Sequence, residues 1–291
     1  MNITGNATGS TKLAGVVGWP IDHSLSPKLH GFWIGEYQLD AAYIPMAVRR
    51  EDFSSVINGL RLAGFEGVNV TVPHKEAAFA MADYHNATAE ITGAANLLLF
   101  RKNGIEANNT DQAGLASTLI ENLGNEAIKG RPVAIWGAGG MARAAVCALS
   151  DLGAQEIRIL NRDKTRAASL VAALAPKTAA SLSPMGFDDW EKAGRDASLL
   201  VNATSAGMKG TASIDLPLDV LPDTTAVFDA VYNPLETPLL RRAKSRGLRT
   251  VDGLGMLMHQ AVPSFAAFFG IEPKVTKALR GAMEEALRHG R

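Results

Sequence analysis

The chain has 291 residues, more than one typical hydrophobic core accommodates, so two domains are expected. Its 29 basic and 29 acidic side chains cancel, which removes the bulk attraction that draws proteins to nucleic acid or to anionic membranes. Apolar content of 47% is that of an ordinary globular protein, and the single cysteine, Cys147, excludes a disulfide framework.

The first ten residues are polar and lack the basic and apolar regions of a signal peptide, and no apolar run approaches a membrane span, so a soluble cytoplasmic protein is expected. A strand over 12–17 runs into Gly18-Trp19-Pro20-Ile21-Asp22-His23-Ser24-Leu25-Ser26-Pro27. This places the Ser24 and Ser26 hydroxyls at the C-terminal edge of a sheet, where open α/β folds bind ligands. Ser26 ahead of Pro27 equally suits a helix N-cap, so capping and ligand binding both stand; Ser24 has no such structural use. A strand over 42–47, a helix over 50–63 and a strand over 67–72 follow.

That last strand ends in Val70-Thr71-Val72-Pro73-His74-Lys75, which sets a lysine in the first turn of a helix. The exposed N–H groups of a helix start carry partial positive charge and disfavour a cation, so stability does not explain Lys75; a proton donor in a cleft does. Strands over 96–100 and 105–109 flank Asn103-Gly104, a two-residue hairpin signal. Thr110-Asp111 then opens a helix reaching 123, with Asp111 either its N-cap or a functional carboxylate. His23, His74 and His259 share no metal-ligand spacing and read as turn or packing residues, so no metal is expected.

A strand over 132–136 enters Gly137-Ala138-Gly139-Gly140-Met141-Ala142, and Ala142, Ala145, Val146, Leu149 and Leu152 repeat at helical spacing. This strand, turn and helix order is that of a dinucleotide site: Gly137 permits the turn, Gly139 lets a pyrophosphate approach the backbone, and Ala142 allows close packing. Cys147, among alanines on that helix, reads as a small buried apolar residue. Strands over 156–160, 199–203, 226–230 and 248–251 and a helix over 164–173 complete an alternation that predicts parallel sheets covered on both faces. The strand over 156–160 ends in Asn161-Arg162, without the acid that accepts bonds from a ribose 2′-hydroxyl in NAD sites. Arg162 can pair with a 2′-phosphate, which favours NADP; Asp163 either repels that phosphate or caps the following helix.

Six co-linear motifs between about residues 14 and 270 then carry a family resemblance. They are G-x-P-I-x-H-S-x-S-P (Gly18 to Pro27), N-V-T-V-P-H-K (Asn69 to Lys75), N-T-D (Asn109 to Asp111), G-A-G-G (Gly137 to Gly140), N-A-T-S-x-G-M (Asn202 to Met208) and D-G-L-G-M-L-x-x-Q (Asp252 to Gln260). The chain resembles the shikimate dehydrogenase family. The resemblance implies NADP-dependent, reversible reduction of 3-dehydroshikimate to shikimate in the pathway to chorismate and aromatic amino acids. It implies Lys75 and Asp111 as a catalytic acid–base pair. Ser24, Ser26 and Tyr232 would hold the substrate carboxylate, and Thr71, Lys75, Asn96, Asp111 and Gln260 its ring hydroxyls; the bland alternatives are a core aromatic for Tyr232 and a helix-surface residue for Gln260. Gly137, Ala138, Gly139, Gly140, Met141, Ala142, Asn161, Arg162, Thr204, Ser205 and Gly253 would hold NADP.

The implied fold is two α/β domains with the active site in the cleft between them: an α/β/α substrate domain with a mainly parallel sheet over 1–110, and a Rossmann-like domain over 111–252. Helices in 253–291, the first kinked or divided at Pro263, would return to the substrate domain. Trp19, Gly31, Leu97 and Ala107 depart from the family's usual pattern without removing a proposed catalytic group. Two other readings stand beside it: a quinate/shikimate dehydrogenase using NAD, and a non-catalytic ligand sensor, against which Lys75, Asp111 and the complete glycine loop argue. A monomer or homodimer with no nucleic-acid or membrane partner is expected.

Overall fold

Gly67-Val68-Asn69-Val70 is buried at every position, the pattern of a strand covered on both faces rather than one alternating between core and solvent. Its sheet belongs to the first of two compact units in the computed structural model, which describes residues 7–289. One unit runs to Thr110 and resumes at Leu257; the other is Asp111–Met256.

The first unit contains, in chain order, β1 (Lys12–Gly18), α1 (Ser26–Glu36), β2 (Ala41–Ala47), α2 (Phe53–Leu62), β3 (Gly67–Val70), α3 (Lys75–Met81), β4 (Tyr84–His85), α4 (Ala87–Thr92), β5 (Leu97–Arg101) and β6 (Gly104–Asn108). Its sheet has the order β2-β1-β3-β5-β6-β4. The pairs β1–β2, β1–β3 and β4–β6 are parallel, whereas β3–β5 and β5–β6 are antiparallel, so the sheet is mixed. Val17, Ile57, Val68, Val70 and Leu98 form the centre of one of its cores.

The second unit contains α5 (Asp111–Leu123), β7 (Pro132–Trp136), α6 (Gly140–Asp151), β8 (Glu156–Leu160), α7 (Lys164–Leu174), β9 (Ser181–Met185), α8 (Trp190–Gly194), β10 (Leu199–Asn202), β11 (Ala226–Asp229), α9 (Pro238–Ser245) and β12 (Arg249–Val251). Helix α10 (Gly253–Phe269) leads from this unit back into the first, where α11 (Lys277–His289) follows. The six strands are all parallel, in the order β12-β11-β10-β7-β8-β9. Counted from β9 this is the doubly wound order, with its switch point between β7 and β10, where such sheets bind dinucleotides. Among the described residues no helix is long and apolar enough to cross a membrane.

Three local expectations are corrected. Strand β3 stops at Val70, two residues early, because the chain closes a turn in which the His74 N–H donates to Thr71 O at 2.9 Å. The hairpin turn is centred one residue earlier than predicted, on Lys102-Asn103, since Arg101 pairs with Gly104. Neither turn residue has positive φ, which excludes the type I′ geometry, and Asp83 Oδ2, which accepts the Ile105 N–H, lies where a Gly104 Cβ would be. Helix α10 is not divided at Pro263 but runs on through it, with Ala261, Ser264 and Phe265 buried on either side. Strands β4 and β9 are not legible as strands: β4 is only two residues long and β9 contains Ser183-Pro184, and each gains its conformation at a sheet edge from one neighbour.

Candidate active site

The register of the first sheet brings separate loops to one edge. Val17 pairs with Val70, so the loops leaving β1 and β3 start side by side, and the Trp19 N–H donates to Val72 O at 3.0 Å. A Cβ at Gly18 would lie 2.5 Å from Thr71 Cγ2, so this close approach requires glycine. Antiparallel β5 enters at this same edge, with Leu97 opposite Asn69 and Asn108 opposite Leu97. Ser24, Ser26, Thr71, Lys75, Asn96 and Thr110 thereby gather at the ends of β1, β3, β5 and β6.

Ser26 is the first residue of α1 and does not cap it; the cap position is Leu25, and no side chain bonds there. Instead Ser24 Oγ accepts the Ser26 N–H at 3.3 Å, so Ser24 has the local structural use that its sequence context did not suggest. Lys75 opens α3, half-buried, and its carbonyl accepts the Ala95 N–H at 2.9 Å, which sets Asn96 beside it. Asn96 Oδ1 accepts the Thr110 N–H at 2.8 Å, and its Nδ2 donates to Thr110 Oγ1 at 2.9 Å and to Gln260 Oε1 at 3.3 Å. Gln260, on α10, is therefore part of this polar cluster and not a helix-surface residue. His74, adjacent to Lys75, is a packing residue: its ring stacks on Phe53 and bonds Val48 O at 2.7 Å. Among the described residues no cluster of His, Cys, Asp or Glu is arranged to hold a metal ion.

Beneath this edge lies a layer that the motif reading did not single out. Tyr43 Oη donates to Asn69 Oδ1 at 2.8 Å, while Asn69 Nδ2 donates to Asn96 O at 3.1 Å and Ser264 Oγ at 2.9 Å. The signal was present: an asparagine inside the fully apolar surroundings of β3 must have partners, because burying an amide unpaired costs about 1–3 kcal/mol.

The second unit holds the remaining residues, including Asp111, the buried first residue of α5, and Tyr232. Gly137 has φ +116° and a Cβ there would lie 2.8 Å from Thr204 Cγ2, so the turn needs glycine on both counts. A Cβ at Gly139 would meet nothing within 4 Å, and this open backbone immediately precedes α6. Such an uncovered helix start with Gly140 and Met141 at its first turn and buried Ala142 behind suits a pyrophosphate. At the end of β8, Asp163 caps α7: its Oδ1 accepts the Thr165 N–H at 3.0 Å and hydroxyl at 2.6 Å. These bonds hold its carboxyl below the usual range, with a further contribution from Arg166, a second cation at this turn that the motif reading passed over. Asn161 Nδ2 donates to Asp163 O at 2.9 Å, and Arg162 is exposed beside it. The residues present thus fit a dinucleotide carrying a 2′-phosphate. Gly253 packs on β11, where a Cβ would lie 2.4 Å from Ala230 O. Cys147 is buried and its thiol is pushed up to about 11, chiefly by burial, so it stays protonated.

Asp229, at the end of β11, is fully buried, and burial pushes its carboxyl up to about 6 from 3.8. The folded pKa lies above the unfolded one, so between roughly pH 4 and 6 the native state keeps a proton that the unfolded chain has lost. The stability that Asp229 contributes is fully present below this window and is lost as pH rises through it. In urea titrations, Asp229→Asn is expected to gain on the wild type by on the order of 3 kcal/mol from about pH 4 to 7, and a pH-independent difference would refute this.

A family model described as "Shikimate dehydrogenase substrate binding domain" matches residues 16–98, and one described as "Shikimate / quinate 5-dehydrogenase" matches residues 118–209. The shikimate dehydrogenase (NADP(+)) of Paramagnetospirillum magneticum is 47% identical over 277 residues, 94% of this chain and 98% of that protein. The structure of shikimate 5-dehydrogenase from Thermus thermophilus in complex with NADP(H) and shikimate superposes with a TM-score of 0.81 at 33% identity, covering 97% of this chain and 100% of that one. Quinate dehydrogenase from Corynebacterium glutamicum in complex with NAD gives a TM-score of 0.85 at 29% identity over 94% of this chain and 99% of that one. With identity this high along nearly its whole length, the chain belongs to the shikimate dehydrogenase family.

Proposed function

We infer that the protein is an NADP-dependent shikimate dehydrogenase, which reversibly reduces 3-dehydroshikimate to shikimate. The observation that carries this reading is the polar edge of the first unit, where Asn96, Thr110 and Gln260 form one hydrogen-bonded group beside Lys75. Amides and hydroxyls that can both donate and accept suit the ring hydroxyls of a polyol. Ser24, Ser26 and Tyr232 hold the substrate carboxylate, and Thr71, Lys75, Asn96, Asp111 and Gln260 its hydroxyls. When bound, NADPH supplies the hydride for the ring carbonyl. The oxygen then needs a proton, which Lys75 and Asp111 deliver between them, each orienting the developing hydroxyl. Residues 137–142, Asn161, Arg162, Thr204, Ser205 and Gly253 bind the cofactor. The substrate domain comprises 1–110 and the C-terminal helices from 253, the cofactor domain 111–252, and the enzyme acts in the cytoplasm as a monomer or homodimer.

A second reading, quinate oxidation with NAD, draws on the likeness to the Corynebacterium glutamicum enzyme. Initial rates with shikimate and quinate, each with NADP and NAD, separate the two. The highest kcat/KM is expected for shikimate with NADP; a higher value for quinate with NAD would replace the first reading by the second.

A further inference from the structure

Asp229 is a buried acid for which the chemistry above has no use, and its three bonds reach two different loops. Oδ1 accepts from Asn202 Nδ2 at 2.9 Å and from the Val231 N–H at 3.0 Å, while Oδ2 accepts the Thr237 hydroxyl at 2.6 Å. Asn202 is the next member: its Oδ1 accepts the Thr204 N–H at 3.1 Å and hydroxyl at 2.7 Å, and Thr204 in turn packs against the Gly137 turn. Val231 immediately precedes Tyr232. Thr237 caps α9 by accepting the Leu240 N–H at 3.2 Å, which fixes the far end of the Tyr232 loop. The loops also meet where the Lys209 N–H donates to Asn233 O at 2.9 Å.

We propose that Asp229 is a positioning residue that sets the Thr204-Ser205 loop and the Tyr232 loop in register with one another, through the two bonds at its Oδ1. One oxygen receives a donor from Asn202 at the end of β10, whose own Oδ1 holds Thr204, and one from the Tyr232 loop, so a shift of either arm breaks a bond in a fully buried place, where an unpaired polar group is costly. Burial raises the carboxyl's pKa despite its three donors, so the acid is retained against a solvation cost. The inference rests on the reading that Thr204 serves the cofactor and Tyr232 the substrate.

The geometry distinguishes charge from register. In Asp229→Asn the amide oxygen must take the Oδ1 place, because two donors face it, and both loop bonds survive. That variant is expected to keep KM for NADP and for shikimate within about twofold of wild type, whereas Asp229→Ala raises both roughly 5- to 20-fold, with kcat less affected. Asn202→Ala severs only the Thr204 arm and should raise KM for NADP alone. Calorimetric Kd values for each ligand should follow the same pattern, and they require no turnover. Unchanged KM values in Asp229→Ala, equal defects in Asp229→Asn and Asp229→Ala, or a shikimate defect in Asn202→Ala would each overturn the proposal. If Asp229→Ala does not fold, the Asn202→Ala and Asp229→Asn results decide. Tyr232→Phe tests the reading beneath: an unchanged shikimate KM would remove the substrate role of Tyr232, and the proposal with it.

Discussion

Replacing Lys75 with alanine is expected to lower shikimate turnover by roughly 10²- to 10⁴-fold, the contribution of general acid–base catalysis, and to leave NADP affinity unchanged. The lysine opens α3, where the helix dipole opposes its charge, and its main chain is tied to the Ala95-Asn96 segment. The turn before it is held by the His74 N–H to Thr71 O and by the His74 ring on Val48 O, neither of which uses the ammonium. The substitution should therefore act on the chemical step. The glycine loop belongs to the other unit, Asp111–Met256, so its affinity for the cofactor should not change. Steady-state rates and a calorimetric titration with NADP check both halves. A near-normal kcat would remove Lys75 from the mechanism, and a large loss of NADP affinity would show that it acts on the cofactor instead.

Arg162→Ala is expected to raise KM for NADP by roughly 10- to 100-fold and that for NAD by less than about twofold, as befits loss of a charge-assisted bond to a phosphate that only NADP carries. Asp163 stands beside it as a negative charge. Its carboxylate is committed to the start of α7 through the Thr165 N–H and hydroxyl, and Arg166 adds a further positive charge nearby. Initial rates across a range of each cofactor test this, and equal losses for NADP and NAD would place the phosphate elsewhere. Raising the salt concentration should weaken NADP more than NAD in the wild type, because Arg162 is exposed and its pairing is screened.

The parallel core strands and the loops that leave them were readable from the chain alone, because both rest on local chemistry. Strands β7 and β8 fall at the bounds that their apolar runs predict, and Gly137 occupies a positive-φ turn that only glycine enters freely. Thr71, Gly137, Asn161 and Arg162 were readable for the same reason, since they lie just where a buried strand ends and its loop must begin. What the sequence could not specify depends on partners far along the chain. Edge strands β4 and β9 have weak local signals and exist through one neighbour each. The hairpin turn sits one residue early, where Arg101 pairs with Gly104 and Asp83, 22 positions from Ile105, takes the Ile105 N–H. The supporting polar layer is the largest gap: Asn69 meets Ser264 across 195 residues, and Asp229 meets Asn202 across 27. A buried amide or carboxylate announces in the sequence that it needs partners, but tertiary structure alone chooses them, because the choice is made by whichever backbone and side-chain groups folding brings within about 3 Å.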